Sequence, residues 1–237
     1  MRRLSPDARR ALAKELERHH LPDILKGLTA AGVSIGTVYD IGAHKGEWTR
    51  KLLKTLPQAK SFMFEANESN RPHLEKRGQW FRIGVLSDTS RDVAFFSEGG
   101  TGDSYFVETS GHYQNVEPET RRAEPLDKIM RDEGLPPPDF IKLDTQGSEL
   151  DILAGASDAL NTARIVLMEC PITCYNKGAP TLAEYVSTMS SKGYAPARAV
   201  ELHDTSGALL QMDIIFLRKD VLSAFSPQID ISGLNLG

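Results

Sequence analysis

The sequence predicts a doubly wound α/β fold, in which a mostly parallel seven-stranded sheet carries helices and ends in an antiparallel hairpin. Two observations predict it. Short apolar runs alternate with segments of helical periodicity through most of the chain, which is the pattern of βαβ units. The last two β-like runs, residues 195–202 and 209–217, are separated only by the turn segment HDTSG. With so short a connection they should pair antiparallel.

The clearest βαβ unit occupies residues 37–66. The run TVYDIGA at residues 37–43 predicts a buried strand, and the run SFMFEA at residues 61–66 predicts a second one. Residues 47–56 have helical periodicity, and Pro57 closes that helix. The crossover between the two parallel strands should be right-handed.

The remaining elements are predicted in the same way. Further strands are expected at residues 81–85, 92–97, 140–143 and 165–168, and helices at residues 126–131, 148–160 and 181–192. Ahead of the sheet, apolar residues at helical spacing predict two short helices between residues 5 and 31. We therefore expect residues 1–33 to form an N-terminal helical segment and residues 34–237 to form one larger domain.

Composition argues against several classes of protein. The chain is 40% hydrophobic and 25% charged, with a formal net charge of −4 and scattered basic residues. Such a chain lacks the cationic stripe that binds nucleic acid, so no nucleic-acid partner is expected. Its apolar runs are shorter than the ~20 residues of a membrane span, and no apolar segment follows the basic N-terminus. We expect a cytoplasmic protein. Its two cysteines offer too few ligands for a closed zinc site.

A glycine-containing turn, DIGAHKG at residues 40–46, follows the first predicted strand. Gly42 and Gly46 would let a ligand approach the backbone, which a β-carbon would obstruct, and Ala43 and His44 lie between them. The carboxylate of Asp40, at the end of the strand, could face the ammonium group of a ligand. A tight turn without any ligand would have the same sequence.

Glu65 ends the next predicted strand, about two dozen residues after the turn, and could accept hydrogen bonds from both hydroxyls of a ribose. Ala66 follows it. After the third strand, Val85 and Asp88 would lie beside an adenine base. This spacing also allows a nicotinamide cofactor, but the GxGxxG pattern is missing.

Seven short segments of the sequence together resemble a known family. In chain order they are DIGAHKG, FEAN, VLSD, GDS, PLDKI, IKLDTQGSELDILAGA and MEC, which lie between residues 40 and 170, and the resemblance spans about residues 38–218. Together they resemble the FkbM-type methyltransferases, and IKLDTQGSELDILAGA is similar to the family's signature IKIDVEGAE. Thr145 and Gln146 replace the commoner Val and Glu, and His44 replaces a residue that is often Asn. The resemblance implies the class I methyltransferase sheet, S-adenosylmethionine as the cofactor, and O-methylation of a hydroxyl on a sugar, glycan or natural product.

Three residues are candidates for catalysis. Asp144 and Glu169 end the fourth and fifth strands, at the edge where ligands of open α/β sheets bind. Asp144 could orient the acceptor hydroxyl or take its proton and could contribute to the cofactor site, or it could only cap the turn before Ser148. Asp144 and Glu169 also occupy the positions at which catechol-type methyltransferases hold magnesium, so a magnesium ion is an alternative. His44 could act as a general base.

Four residues are candidates for acceptor binding. Ser104 belongs to the GDS segment, and Tyr175 and Asn176 lie in a loop after Glu169 that could contact a sugar ring. Asp213 interrupts an apolar strand, and a buried carboxylate needs a partner or a function.

The sequence also allows two other functions. One is a nicotinamide-dependent oxidoreductase, and the other is a noncatalytic protein that binds S-adenosylmethionine.

Overall fold

The computed structural model describes residues 21–97, 103–108, 116–173, 176–205 and 208–225. The second predicted N-terminal helix is present, whereas the first lies outside the described residues. The strands in chain order are β1 Thr37–Ile41, β2 Lys60–Glu65, β3 Trp80–Ile83, β4 Val85–Leu86, β5 Arg91–Phe95, β6 Val107–Glu108, β7 Glu119–Glu124, β8 Phe140–Leu143, β9 Ile165–Pro171, β10 Asn176–Lys177, β11 Tyr194–Thr205 and β12 Ala208–Arg218.

Seven of these strands form the main sheet, in the spatial order β11-β12-β9-β8-β1-β2-β3. The neighbours from β9 to β3 pair parallel, and β12 pairs antiparallel with both β9 and β11. The predicted mostly parallel sheet with a terminal hairpin is thus confirmed. The reversal of strand order at β1 and β8 is the switch point at which ligands of such sheets bind.

Helices cover both faces of the sheet. They are α1 Leu21–Ala30, α2 Glu47–Thr55, α3 Arg71–Glu75, α4 Leu126–Asp132, α5 Glu149–Ala154, α6 Ser157–Thr162, α7 Leu182–Ser191 and α8 Lys219–Phe225. Side chains alternate in β1: Val38 packs with the residues of α1 and α2, whereas Tyr39 and Ile41 pack with those of α4 to α7. The sheet therefore lies between two apolar layers, as the doubly wound prediction requires.

The single helix predicted for residues 148–160 is wrong, because the chain forms α5 and α6 with a break at Gly155. A β-carbon at Gly155 would lie 2.4 Å from the carbonyl oxygen of Ser87, so this backbone passes very close to a neighbouring loop. Asp127 then supports the start of α6 by accepting hydrogen bonds from the backbone N–H groups of Asp158 and Ala159. The break thus depends on contacts between segments distant in sequence.

A small three-stranded sheet, β4-β7-β5, was not predicted as a unit. The strand expected at residues 81–85 is divided at Gly84 into β3 of the main sheet and β4 of this small one. Strand β7, ETRRAE, has no apolar alternation, and Ala123 is its fully buried residue. A strand of this composition gives no sequence signal because pairing with β5, rather than burial, holds it in place.

In the part of the chain that the structure describes, none of the helices is long and apolar enough to cross a membrane.

Candidate active site

A cavity of about 340 Å³ lies at the carboxyl ends of the parallel strands. Its lining follows the strand order. Val85 and Phe95 lie at the β2–β3 side, Gly42 and His44 in the middle, and Gln211 of β12 at the other side. Sites in open α/β sheets occupy this position, so the cavity is the candidate active site.

The β1–α2 turn forms the middle of the cavity. Gly42 has φ +76°, and a β-carbon there would lie 1.8 Å from the carbonyl oxygen of Asp144. The protein's own backbone therefore requires a glycine here, and the close approach of a ligand to Gly42 stays a prediction. Ala43 and His44 line the cavity, and His44 has a left-handed backbone with φ +48°. Gly46, with φ +69°, precedes α2 and lies outside the lining.

The Glu65 carboxylate is fixed at the end of β2 by backbone donors. Its Oε2 accepts a hydrogen bond from the N–H of His44 at 2.6 Å, and its Oε1 accepts one from the N–H of Asn67 at 2.8 Å. Each carboxylate oxygen has a second lone pair. Glu65 lines the cavity although it is buried, so its orientation is preset before any ligand arrives.

The apolar part of the cavity lies beside Glu65. Ala66 and Val85 line it together with Phe95 and Ile152. Asp88, predicted here, lies outside the lining. Its carboxylate accepts a hydrogen bond from Ser87 Oγ at 2.9 Å, which lowers the pKa of Asp88.

Sequence reasoning missed Lys142, a buried lysine in β8 that lines the cavity. Its Nζ donates to the carbonyl oxygen of Gly42 at 3.0 Å and lies 3.2 Å from Asp144 Oδ2 and 3.4 Å from Asp40 Oδ1. Burial disfavours its charge, but Asp144 and Asp40 outweigh that effect and raise the pKa of Lys142. A lysine inside the four-residue apolar strand FIKL was the available signal, since a buried cation needs a partner.

Asp40 is fully buried and lies outside the cavity lining. Thr49 Oγ1 donates to its Oδ2 at 2.6 Å, whereas its Oδ1 faces Lys142 without a hydrogen bond. The structure thus places Lys142, rather than Asp40, at the surface of the cavity beside the glycine turn.

Asp144 and Glu169 line the opposite, polar side. Asp144 is 40% exposed, so it can reach a ligand while it is paired with Lys142. Glu169 accepts hydrogen bonds from Nε2 of Gln146, at 2.8 Å, and from Nε2 of Gln211. These amides favour the charged carboxylate, but burial, followed by the charges of Asp144, Glu149 and Asp213, outweighs them and raises the pKa of Glu169.

Glu149 holds the loop after β8. It accepts hydrogen bonds from the N–H groups of Thr145 and Gly147 and from the hydroxyl of Tyr185, the last at 2.6 Å. It is almost fully buried and lies outside the cavity lining. Its contacts are those of a residue that shapes the loop.

The four predicted acceptor residues occupy different places. Ser104 lines the cavity and donates to the carbonyl oxygen of Gln146 at 3.1 Å. Asp213 lies outside the lining, opposite Glu169 in the β9–β12 ladder. Tyr175 lies outside the described residues. The backbone of Asn176 belongs to β10, which pairs with β6, and its side chain lies outside what the structure describes.

The possible magnesium site of Asp144 and Glu169 stays a prediction. Within the described residues, the donor atoms that lie close enough to share one ion belong to Glu169, His203 and Asp213, all within 4.8 Å of one another. Asp144 is not a member of that group of three, and its carboxylate lies 3.2 Å from Lys142 Nζ.

The strand order and the ligand edge define the fold as that of a class I methyltransferase. The chain belongs to the FkbM methyltransferase family, whose domain model (Methyltransferase FkbM domain) matches residues 40–196. A curated relative is the 2-O-methyltransferase NoeI of Sinorhizobium fredii, 28% identical over 155 residues. The match covers 56% of this chain and 62% of the relative, so it spans less than two thirds of that protein.

Two solved structures illustrate the similarity. Magnesium protoporphyrin IX methyltransferase (ChlM) from Synechocystis PCC 6803, with bound SAH, is 11% identical to this chain, with a TM-score of 0.48. The match covers 92% of this chain and 90% of that chain. Precorrin-6y C5,15-methyltransferase from Geobacter metallireducens is 14% identical with a TM-score of 0.45, and the match covers 82% of this chain and 86% of that one.

Proposed function

We propose that the protein is an S-adenosylmethionine-dependent O-methyltransferase whose acceptor is a hydroxyl of a small molecule, such as a sugar, glycan or natural product. The observation that carries the proposal is the preset carboxylate of Glu65 in the same cavity as Asp144. The family membership and the name of the 2-O-methyltransferase relative support it.

In this proposal the cofactor would lie along the cavity. Glu65 would accept hydrogen bonds from the ribose hydroxyls through its second lone pairs. Ala66 and Val85, with Phe95, would cover the adenine on the apolar side. Gly42, Ala43 and His44 would lie along the methionine part, and Asp40 would act on it indirectly through Lys142. When bound, S-adenosylmethionine supplies a methyl group that is already activated on a sulfonium.

Asp144 is the residue proposed to act on the acceptor. It is exposed to the cavity at a strand end, and Lys142 keeps its carboxylate in place at 3.2 Å. In this role it would orient the acceptor hydroxyl and accept the proton that the hydroxyl loses. Glu169 and Ser104 line the same side and would contact the acceptor, whereas His44 is the alternative base.

Family membership favours methyl transfer over the nicotinamide-dependent reaction that the sequence left open. A noncatalytic protein would keep the cofactor contacts but form no product. The three functions therefore differ in ligand and in turnover.

Calorimetric titration with S-adenosylhomocysteine tests cofactor binding on the wild type and on Glu65→Ala. The variant should bind about 1.5–3 kcal/mol more weakly, the worth of hydrogen bonds to a charged group. Glu68→Ala is the matched control, because Glu68 is an exposed glutamate paired with Arg71. Binding of NADH in place of S-adenosylhomocysteine would refute the proposal. Mass spectrometry of S-adenosylhomocysteine formed with candidate acceptors then separates an enzyme from a noncatalytic binder.

A further inference from the structure

The polar side of the cavity contains a carboxylate held between two amides. Gln146 donates to Glu169 Oε1 at 2.8 Å, and Gln211 donates to Glu169 Oε2. The three residues come from the loop after β8, from β9 and from β12, and all three line the cavity. We call this group the amide–carboxylate cluster.

The backbone that carries Gln146 is strained. Gln146 has φ +58°, and with His44 it is one of two non-glycine residues with positive φ in the described part of the chain. Both line the cavity. A left-handed backbone at a residue other than glycine persists where the surroundings impose it, and such residues concentrate at functional sites. Here the conformation accompanies a side chain that reaches Glu169 across the loop.

Charge at this side is unevenly balanced. Burial raises the pKa of Glu169, and the nearby negative charges of Asp144 and Asp213 raise it further. Among the described residues that line the cavity, Lys142 carries a fixed positive charge, and it is already engaged by Gly42, Asp144 and Asp40. A phosphate or carboxylate brought here would add a further negative charge beside the exposed carboxylate of Asp144, in a partly buried site where repulsion is poorly screened.

Amides and carboxylates suit a ligand with adjacent hydroxyl groups. A hydroxyl both donates and accepts, so it can form a hydrogen bond with Glu169 whether that group is ionised or protonated, and it can also exchange hydrogen bonds with the flanking amides. A ligand with such hydroxyls can take the place of water here without leaving any polar group of the site unpaired.

Resting on the methyltransferase function proposed above, we propose that the amide–carboxylate cluster of Gln146, Glu169 and Gln211 is the specificity-determining part of the acceptor site. It binds adjacent hydroxyls of an uncharged acceptor and rejects an acceptor that carries a carboxylate or phosphate beside the reacting hydroxyl.

The test uses protein saturated with S-adenosylhomocysteine. Saturation-transfer NMR is recorded with methyl glycosides of neutral hexoses and with the matching hexuronic acids, which differ in one carboxylate. The wild type should show transfer to at least one neutral glycoside and little to its acidic counterpart. Gln211→Lys should reverse this preference, shifting the ratio of dissociation constants for the acidic and neutral sugars by about tenfold or more, as expected when a charge is added to a partly buried site.

Gln146→Ala should weaken the affinity for the neutral sugar by about three- to tenfold, the worth of one hydrogen bond between uncharged groups, and leave the affinity for S-adenosylhomocysteine within about threefold. Gln58→Ala, at an exposed glutamine distant from the cavity, is the control. Equal transfer to acidic and neutral sugars, or transfer to neither, would overturn the inference. Failure to bind S-adenosylhomocysteine would instead contradict the proposed function, so the two failures are distinguishable.

Discussion

The carbonyl oxygen of Asp144 occupies the space that a β-carbon on Gly42 would fill, at a separation of 1.8 Å. The turn after β1 and the end of β8 are therefore packed backbone against backbone. This contact joins the predicted cofactor turn to the predicted catalytic strand end without any side chain at residue 42.

Replacing Gly42 by Ala should destabilise the protein severely. The positive φ alone costs about 1–2 kcal/mol for a residue with a β-carbon, and the overlap with Asp144 adds about 1–3 kcal/mol. Urea unfolding of the soluble fraction measures the loss. Gly27→Ala is the matched control, because Gly27 lies in α1 and a β-carbon added there would meet no atom within 4 Å. That control should gain about 0.5–1 kcal/mol, and equal stability of the two variants would show that the turn can relax.

Replacing Lys142 by Met should cost about 3–5 kcal/mol, because it leaves the fully buried Asp40 carboxylate without its cation. Lys128→Met is the matched control: it removes an exposed lysine that pairs with Glu124 and Asp132, and should cost about 0–1 kcal/mol. Chemical unfolding of both variants gives the comparison. Adding Asp40→Asn to Lys142→Met should restore part of the loss, and a lack of recovery would argue that Lys142 acts through packing alone.

Replacing Asp144 by Asn should reduce kcat by about 10²–10⁴-fold, the usual contribution of a general base, with less than about tenfold change in the affinity for S-adenosylhomocysteine. We expect kcat to fall much more than the cofactor affinity because Glu65, and not Asp144, holds the ribose in the proposed site. Asp158→Asn removes an exposed carboxylate paired with Arg131 and serves as the control. Thermal melting checks the fold of each variant. Near-normal turnover, or a defect confined to cofactor binding, would assign Asp144 another role.

Stability should depend on pH through Asp213. Burial, followed by the nearby charges of Asp144 and Glu201, raises its pKa to about 6, although His203 and Lys142 act in the opposite direction. The folded protein therefore binds a proton that the unfolded chain releases at lower pH. The stability that this proton confers is present below the unfolded pKa of about 4 and is lost as the pH rises through about 6.

The free energy of unfolding of Asp213→Asn, relative to that of the wild type, should consequently be roughly 2–3 kcal/mol higher at about pH 7.5 than at about pH 4. Unfolding free energies at the two pH values give this difference. Asp92→Asn, at an exposed aspartate on the small sheet, should show little change between them. If the difference in unfolding free energy between Asp213→Asn and the wild type did not change with pH, Asp213 would be ionised over this whole pH range.

Local sequence patterns predicted most of the fold. Strands β1, β2, β8 and β9 could be predicted because a strand that is buried on both faces of a parallel sheet is a continuous apolar run. The helices between them could be predicted from their apolar periodicity. The hairpin β11–β12 followed from the short turn between its strands. The break between α5 and α6 could not be predicted, because it depends on the close approach of the Gly155 backbone to another loop. Strand β7 could not be predicted either, because it depends on pairing with β5.

The sequence by itself determined which carboxylates lie at the ligand edge of the sheet: Glu65 ends β2 and Asp144 follows β8. Glu169, predicted to end the fifth strand, lies within β9, which continues to Pro171. Only the tertiary structure decided what these carboxylates contact. Lys142 reaches Asp40 and Asp144 because β8 and β1 are adjacent, and Gln211 reaches Glu169 because β12 pairs with β9. These partners are separated by up to about a hundred residues in sequence, and their contacts depend on which strands become neighbours in the sheet, which no local pattern encodes.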